Sequence, residues 1–384
     1  MDIKQIYSLM NTVTSEVLGD STVVSEDLGN IVDIGTSVFN QNAVDAYVRS
    51  LVNHIGKVIF VNRPYSGAAP SVLMDGWEYG SVLEKISADI PDAQENESWD
   101  LHDGMSYDPN VFTQPKVAAK FFNKRVTFEV PVSITELQVK QSFSSSEQLN
   151  GFASMIYDSV DKSMTVKTDA LIERTINNMI AETVYSEYAG GTLSSSSGVR
   201  AINLLYLYNT RYSASLTAAN ALTTPEFIRF AAYVMGTVKK RLRKLSRLYN
   251  IGGEARFTSD DRLHSILFSD FVQAADVFLQ SSTFHDEFTK LPNADEVPYW
   301  QGSGTGYAFA DASKIDVTTA SNHSVTVPGI LGVMFDRDAL GVANLDRRVT
   351  SNYNPKAEFY NNWYKFDAGY FNDTNENFVV FFMA

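Results

Sequence analysis

Residues 145–187 read SSEQLNGFASMIYDSVDKSMTVKTDALIERTINNMIAETVYSE, and no other part of the chain keeps a helical pattern for so long. Ser144, with Glu147 three residues on, forms a capping box at its start. No Pro interrupts the run. Apolar residues recur at Leu149, Phe152, Ile156, Val160 and Met164, then at Leu171, Ile172, Ile176, Met179, Ile180 and Val184, mostly at steps of three or four. At ~1.5 Å per residue such a helix is roughly 65 Å long, several times the usual length. The stripe of the first half is rotated away from that of the second, so different partners must cover the two halves. Thr165 to Asp169, polar and rich in β-branched residues, is where a kink costs least. One stripe cannot offset the entropy of ordering so long a segment. The helix cannot stand alone and needs a body around it, such as the core of a large globular enzyme.

The chain of 384 residues allows two or three domains at ~150 residues each, with ample core. Lys and Arg number 31 against 45 Asp and Glu, a net charge of −14. That balance argues against a general nucleic-acid coat, which needs cations on phosphate, while leaving room for a local basic patch. With no cysteine, disulfides, thiolate catalysis and cysteine-based zinc sites are excluded. The start, Met1-Asp2-Ile3-Lys4-Gln5, lacks the pattern of a secretion signal, and no run of ~18 apolar residues spans a membrane, so cytoplasmic synthesis is expected.

Upstream of the long helix, residues 1–56 carry an amphipathic fragment (Ile3, Ile6, Tyr7, Met10), repeated turn signals and a helix from Asn42 to Ile55 closed by Gly56, the pattern of an arm. Residues 57–131 read as β structure, with strands at Lys57–Asn62, Ser81–Ile90 and Lys116–Val130, the last two forming an extended hairpin. Its charges are sorted. Residues 75–103 hold nine acids, among them Asp92, Glu95 and Glu97, against one base, Lys85, while the return strand holds Lys116, Lys120, Lys124 and Arg125. Two readings stand: a solvated hairpin with cross-strand ion pairs, or a projecting arm lying on a neighbour of complementary charge.

Downstream, Gly190-Gly191 and Ser194 to Gly198 mark a flexible connection. Helices follow at Ala201–Tyr212 and Pro225–Tyr249, the second capped by Thr224. Its end carries Lys239, Lys240, Arg241, Arg243, Lys244 and Arg247, which suit either a nucleic-acid contact or the helix dipole and a subunit contact. Strands are expected at Ala255–Thr258 and Asp261–Leu267, a helix at Asp270–Gln280, and a buried strand at Val325–Asp336 with close approach at Gly329 and Gly332. An aromatic cluster from Phe359 to Phe371 precedes a last strand, Asn377–Phe382, whose unbroken apolar run calls for burial on both faces.

Chemistry-bearing patterns are sparse. The five histidines form no metal pair at helical spacing, and there is no Walker loop, G-x-S-x-G elbow or H-E-x-x-H. Gly302 to Gly306 lacks the strand and helix a phosphate loop requires. Adjacent residues in His285-Asp286-Glu287 point apart on a helix, and Asp260-Asp261 suits capping better than a cation. No catalytic, cofactor-binding or metal residue is assigned, and no cofactor is implied.

The order of parts, with the stretches Asp75 to Gly80, Phe121 to Lys124, Ser142 to Leu149, Val333 to Leu340 and Tyr353-Asn354-Pro355, resembles the major capsid proteins of tailed double-stranded DNA bacteriophages, of the Hong Kong 97 fold. The resemblance covers most of the chain from about residue 40. It implies an α+β fold with an N-terminal arm (1–56), an extended loop (57–131), a peripheral domain (132–199 and 341–384) with spine helix 145–187, and an axial domain (200–340). It further implies a non-enzymatic virion subunit, assembling in the host bacterial cytoplasm into hexamers and pentamers around packaged DNA that it binds without sequence specificity. Its partners would be itself, a separate scaffolding protein, the portal and a decoration protein, with no membrane. Inter-subunit contacts would fall on Asp92, Glu95, Glu97, Lys116, Lys120, Lys124, Arg125, Lys239, Lys240, Arg241, Arg243 and Lys244. No lysine is assigned to an inter-subunit crosslink. Rival readings are an encapsulin-type compartment of the same fold and a cytoplasmic enzyme.

Overall fold

The computed structural model describes residues 3–19, 24–26, 29–40, 43–61, 69–74, 83–88, 103, 110, 112, 117–188, 192–280, 294–301, 309–319 and 322–384. The chain opens with helices α1 (Ile3–Leu18), α2 (Ile31–Asn40) and α3 (Val44–Val61), then strands β1 (Leu73–Met74), β2 (Leu83–Ala88), β3 (Val117–Phe122) and β4 (Arg125–Thr135). Next come α4 (Glu136–Ser142), α5 (Ser146–Tyr188), β5 (Ala201–Asn203), α6 (Leu204–Tyr212), α7 (Ala218–Ala221) and α8 (Pro225–Leu242). The remainder is β6 (Leu263–Phe268), α9 (Ser269–Gln280), β7 (Asp295–Val297), α10 (Phe309–Ala312), β8 (Ile315–Thr318), β9 (Ser324–Val327), β10 (Ile330–Asp336), β11 (Leu340–Asn354), β12 (Phe359–Asn372) and β13 (Phe378–Phe382).

The chain divides into two compact units. The first comprises Met1–Glu78, Arg125–Ile172 and Val342–Gly369. Its core gathers Met10 and Val13 of α1, Ile34 and Val38 of α2, Tyr47 and Leu51 of α3, and Leu149, Phe152, Ile156, Val160 and Met164 of α5. A four-stranded sheet in the order β1-β11-β12-β4 contributes Val130, Ile134, Tyr360 and Tyr364 to the same core. The backbone of α3 runs through Gly56 to Val61, where the sequence suggested a helix end and then a strand at Lys57–Asn62. A short apolar run does not distinguish strand from helix by its pattern, and extending a helix already nucleated at Val44 adds a hydrogen bond per residue without a new nucleus.

Helix α5 is a single unbroken helix of 43 residues. Its cap is one residue later than the pattern suggests. Ser145 Oγ accepts from the Gln148 amide at 3.2 Å, while Ser144 Oγ donates to the Gln141 carbonyl at 2.7 Å, satisfying the end of α4 instead. No break occurs at Thr165–Asp169. The hydroxyls of Thr165 and Thr168 donate to the carbonyls of Asp161 and Met164 at 3.0 and 2.9 Å, so the β-branched polar residues are absorbed by bonds to the preceding turn. The first half presents one stripe to the core, with Met155 and Val166 exposed. From Thr175 to Val184 nearly every position is buried.

The second unit comprises Tyr79–Lys124, Glu173–Gly341 and Tyr370–Ala384. Its centre is a five-stranded sheet in the order β5-β13-β10-β6-β7. Strand β13 lies antiparallel to β10 and parallel to β5, and all five of its residues are buried. Gly332 is required by the close approach of β6, since a Cβ there would lie 2.6 Å from Leu267 Cδ2. Gly329, at φ +62°, makes the turn that splits Val325–Asp336 into β9 and β10 rather than one strand. Ala255–Thr258 supplies one bridge, Ser246 to Arg256, instead of a strand. Helix α8 stops at Leu242, whose carbonyl accepts from the Thr258 amide at 2.8 Å, so Arg243, Lys244 and Arg247 lie beyond the helix. Thr224 stands before α8 but its hydroxyl donates to Asn220 rather than capping.

Candidate assembly surface

Strands β2 and β3 pair antiparallel within the second unit, with Lys85 directly opposite Lys120. Two like charges facing each other across a strand pair are unfavourable by themselves. Alternation then sorts the hairpin into two faces: Leu83, Lys85, Lys120 and Phe122 on one, Glu84, Ile86, Val117, Ala119 and Phe121 on the other.

The lysine face is anchored. Asp373, in the turn between β12 and β13, sits between the two cations, with Oδ2 2.8 Å from Lys85 Nζ and Oδ1 2.9 Å from Lys120 Nζ. Glu376 Oε1 takes a second Lys85 bond at 2.7 Å and holds Arg256 Nε at 3.2 Å. The Asp373 side chain is 2% exposed. Burial pushes its carboxyl upward, but hydrogen bonds from Lys85 and Lys120, the Lys85 charge and the Asn375 amide outweigh that and hold it below the ordinary carboxylate value. Phe122 packs on Phe371 beside the network, with ring centroids 5.2 Å apart. Glu84, the described acid within the paired strands, faces Phe121, so the cross-strand ion pairs suggested by the sequence do not form among the described residues.

Apart from Glu84, the opposite face is apolar and uncovered. Ile86 is 66% exposed, Phe121 63% and Val117 62%, and Phe112, in the described part of the connecting stretch, is also open. Exposed apolar side chains gathered on one face of an anchored ribbon mark a surface made to be covered.

The other expected contact residues are scattered. Lys124 follows β3, exposed, with its carbonyl accepting from the Tyr370 amide at 3.2 Å. Arg125 opens β4 in the first unit near Asp367, whose carboxyl is pushed up by burial but held below the ordinary range by hydrogen bonds from Arg348 and Thr127, the Arg348 charge and, last, the Arg125 charge. Lys239, Lys240 and Arg241 close α8, and Arg243 pairs with Asp260 at 3.3 Å, which gives Asp260 a use other than cation binding. Asp92, Glu95, Glu97 and Lys116 lie outside the described residues, as do Asp75–Gly80, His285-Asp286-Glu287 and Gly302–Gly306. Sequence reasoning did not find Asp373, Glu376 and Arg256. Their one local signal is an acidic pair three apart in an Asn-rich turn, and nothing local ties it to a lysine in a distant hairpin. Among the described residues no cluster of three or more His, Asp or Glu is placed to hold a metal ion, and no helix is long and apolar enough to cross a membrane.

The mixed fold, with its long helix, two sheets and anchored hairpin, is that of phage capsid subunits. A chain of the capsid structure of Staphylococcus phage Andhra superposes with a TM-score of 0.50 at 10% identity, covering 84% of this chain and 86% of that one. A chain in the structure described as head fiber and inner core protein gp22 of native bacteriophage P68 gives 0.50 at 9% identity, covering 82% and 83%. The Phi29-like phage major capsid protein family model matches residues 10–382, and the chain belongs to that family. No curated protein matches it. It is a structural protein of the phage head, self-assembling into a shell and residing in the virion.

Proposed function

We propose that the chain forms hexamers and pentamers that close into an icosahedral head around double-stranded DNA, in the Hong Kong 97 arrangement. Residues 57–131 form the extended loop across a neighbour, 145–187 the spine helix within a peripheral domain of residues 132–199 and 341–384, 200–340 the axial domain, and 1–56 an arm. The single observation carrying this reading is the hairpin, anchored by ions on one face and apolar and open on the other. A buried ion network is a poor source of net stability, but it fixes an orientation. Here it would hold the apolar face toward a neighbouring copy. The role is scaffold-assisted shell building in the bacterial cytoplasm rather than catalysis. A separate scaffolding protein, the portal and a decoration protein complete the partners, and DNA is enclosed without sequence readout by an acidic wall.

Negative-stain microscopy with sedimentation of the purified chain, with and without the scaffold co-expressed, tests this. Closed shells or tubes are expected. A monomer or small oligomer that persists with the scaffold present would overturn it.

A further inference from the structure

Beside the hairpin, the second unit carries a second uncovered surface. Helices α6 and α8 flank a groove of about 480 Å³ whose wall includes Ile202, Phe230, Val234 and Val238, with Arg211 and Arg241 at the rim. Its size falls within the ~300–1,000 Å³ of ordinary binding pockets. The Arg211 guanidinium lies 5.7 to 6.0 Å from the ring centres of Tyr212, Phe230 and Tyr233, a stack that holds a cation at the groove's edge. From that edge the basic margin continues. Lys240, Arg241, Lys244 and Arg247 are exposed and make no ion pair among the described residues, and Leu245, Leu248 and Phe257 stand exposed between or beside them.

Cations alone suit a phosphate backbone, but exposed leucines and an apolar groove add nothing to one. An occupant with both acids and a large apolar side chain fits better. The chain contains such a tract. Residues 92–103 read DAQENESWDLHD, five acids with no Lys or Arg, and Trp99 stands beside Asp100 and two residues from Glu97. We infer that this acidic tract of a second copy docks on the α8 margin, seating Trp99 in the groove while Glu97 and Asp100 meet Lys240 and Arg241. The inference rests on the proposed shell and deepens it by naming where one copy's loop lands on the next. Tryptophan anchors ringed by charge pairs are the usual energetic centre of such contacts.

Three full-length variants test it, each checked for an unchanged melting curve: Trp99→Ala, Glu97→Lys with Asp100→Lys, and Lys240→Glu with Arg241→Glu. Each is expected to lower the yield of sedimenting shells at least tenfold. The two charge-reversed chains, each defective alone, are expected to form mixed hexamers when combined, because alternation around a ring of six lets each tract meet the opposite charge on the next chain. Wild-type yield from all three variants would overturn the inference while leaving the shell itself demonstrated. Rescue of shells by combining both reversals in one chain, with no mixed hexamers on combining the two separate variants, would place the contact within a copy and overturn it too. Normal shells that fail to retain double-stranded DNA in the Lys240→Glu, Arg241→Glu variant would assign the margin to phosphate, with the same result.

Discussion

Strand β13 and the hairpin β2–β3 belong to the same unit and are built on opposite terms. In β13, five apolar residues disappear between β5 and β10 and leave nothing to recognise. In the hairpin, burial is confined to one face, the attachment is ionic, and the apolar side chains point outward. Hydrophobic burial is strong and indifferent to direction. Ion pairs add little net energy but are geometrically exacting. A subunit that must hold together by itself and also present a face to a neighbour uses the first for its core and the second for its aim.

The comparison breaks most severely at β13. Phe381→Ala should cost about 3–5 kcal/mol through the cavity it leaves, seen as a lower urea midpoint of the isolated subunit, with hairpin and sheet lost together. Asp373→Asn should cost less, about 2–3 kcal/mol. That is below the ~3–5 of a fully buried broken pair, because Lys120 is more than a third exposed. Amide exchange should then quicken in β2 and β3 while β10 and β13 stay protected. Acid should imitate that variant. Asp373 is held below its ordinary value of 3.8, so its contribution is complete above that pH and is lost as pH falls through the depressed native value. An acid step in hairpin exchange that survives in the Asn variant would refute the assignment. At the small end, Ile86→Ser with Phe121→Ser should leave the subunit's stability within ~0.5 kcal/mol, yet sharply reduce shell yield. A normal yield would deny the exposed face its purpose.

What could be read in advance follows the same division. Helix α5 was legible from its helical period and the last strand from its unbroken apolar run, whereas the return strand expected over Lys116–Val130 is split: β3 pairs with β2 as foreseen, and β4 pairs with β12. The strand expected at Lys57 is helix instead, since short apolar runs serve either structure, and α8 ended early because its last carbonyl found Thr258, a tertiary partner with no local signature. At Tyr353-Asn354-Pro355, Asn354 Oδ1 accepts from the amides of Lys356 and Ala357 at 3.1 and 3.3 Å, closing the turn between β11 and β12. The anchor of the hairpin was invisible because Lys85 and Asp373 are joined only by the finished fold.

The placement of β13 in the middle of its sheet also sets a clock on synthesis. Strand β5 pairs with β13, so a strand made early must wait for one made much later. At about 5–20 residues per second that wait is on the order of ten to forty seconds. Until residues 378–382 emerge from the ribosome the sheet lacks an inner strand, and the Asp373 turn that anchors the hairpin precedes it by only a few residues. Until that strand arrives, a nascent chain therefore has neither a closed core in its second unit nor an aimed hairpin.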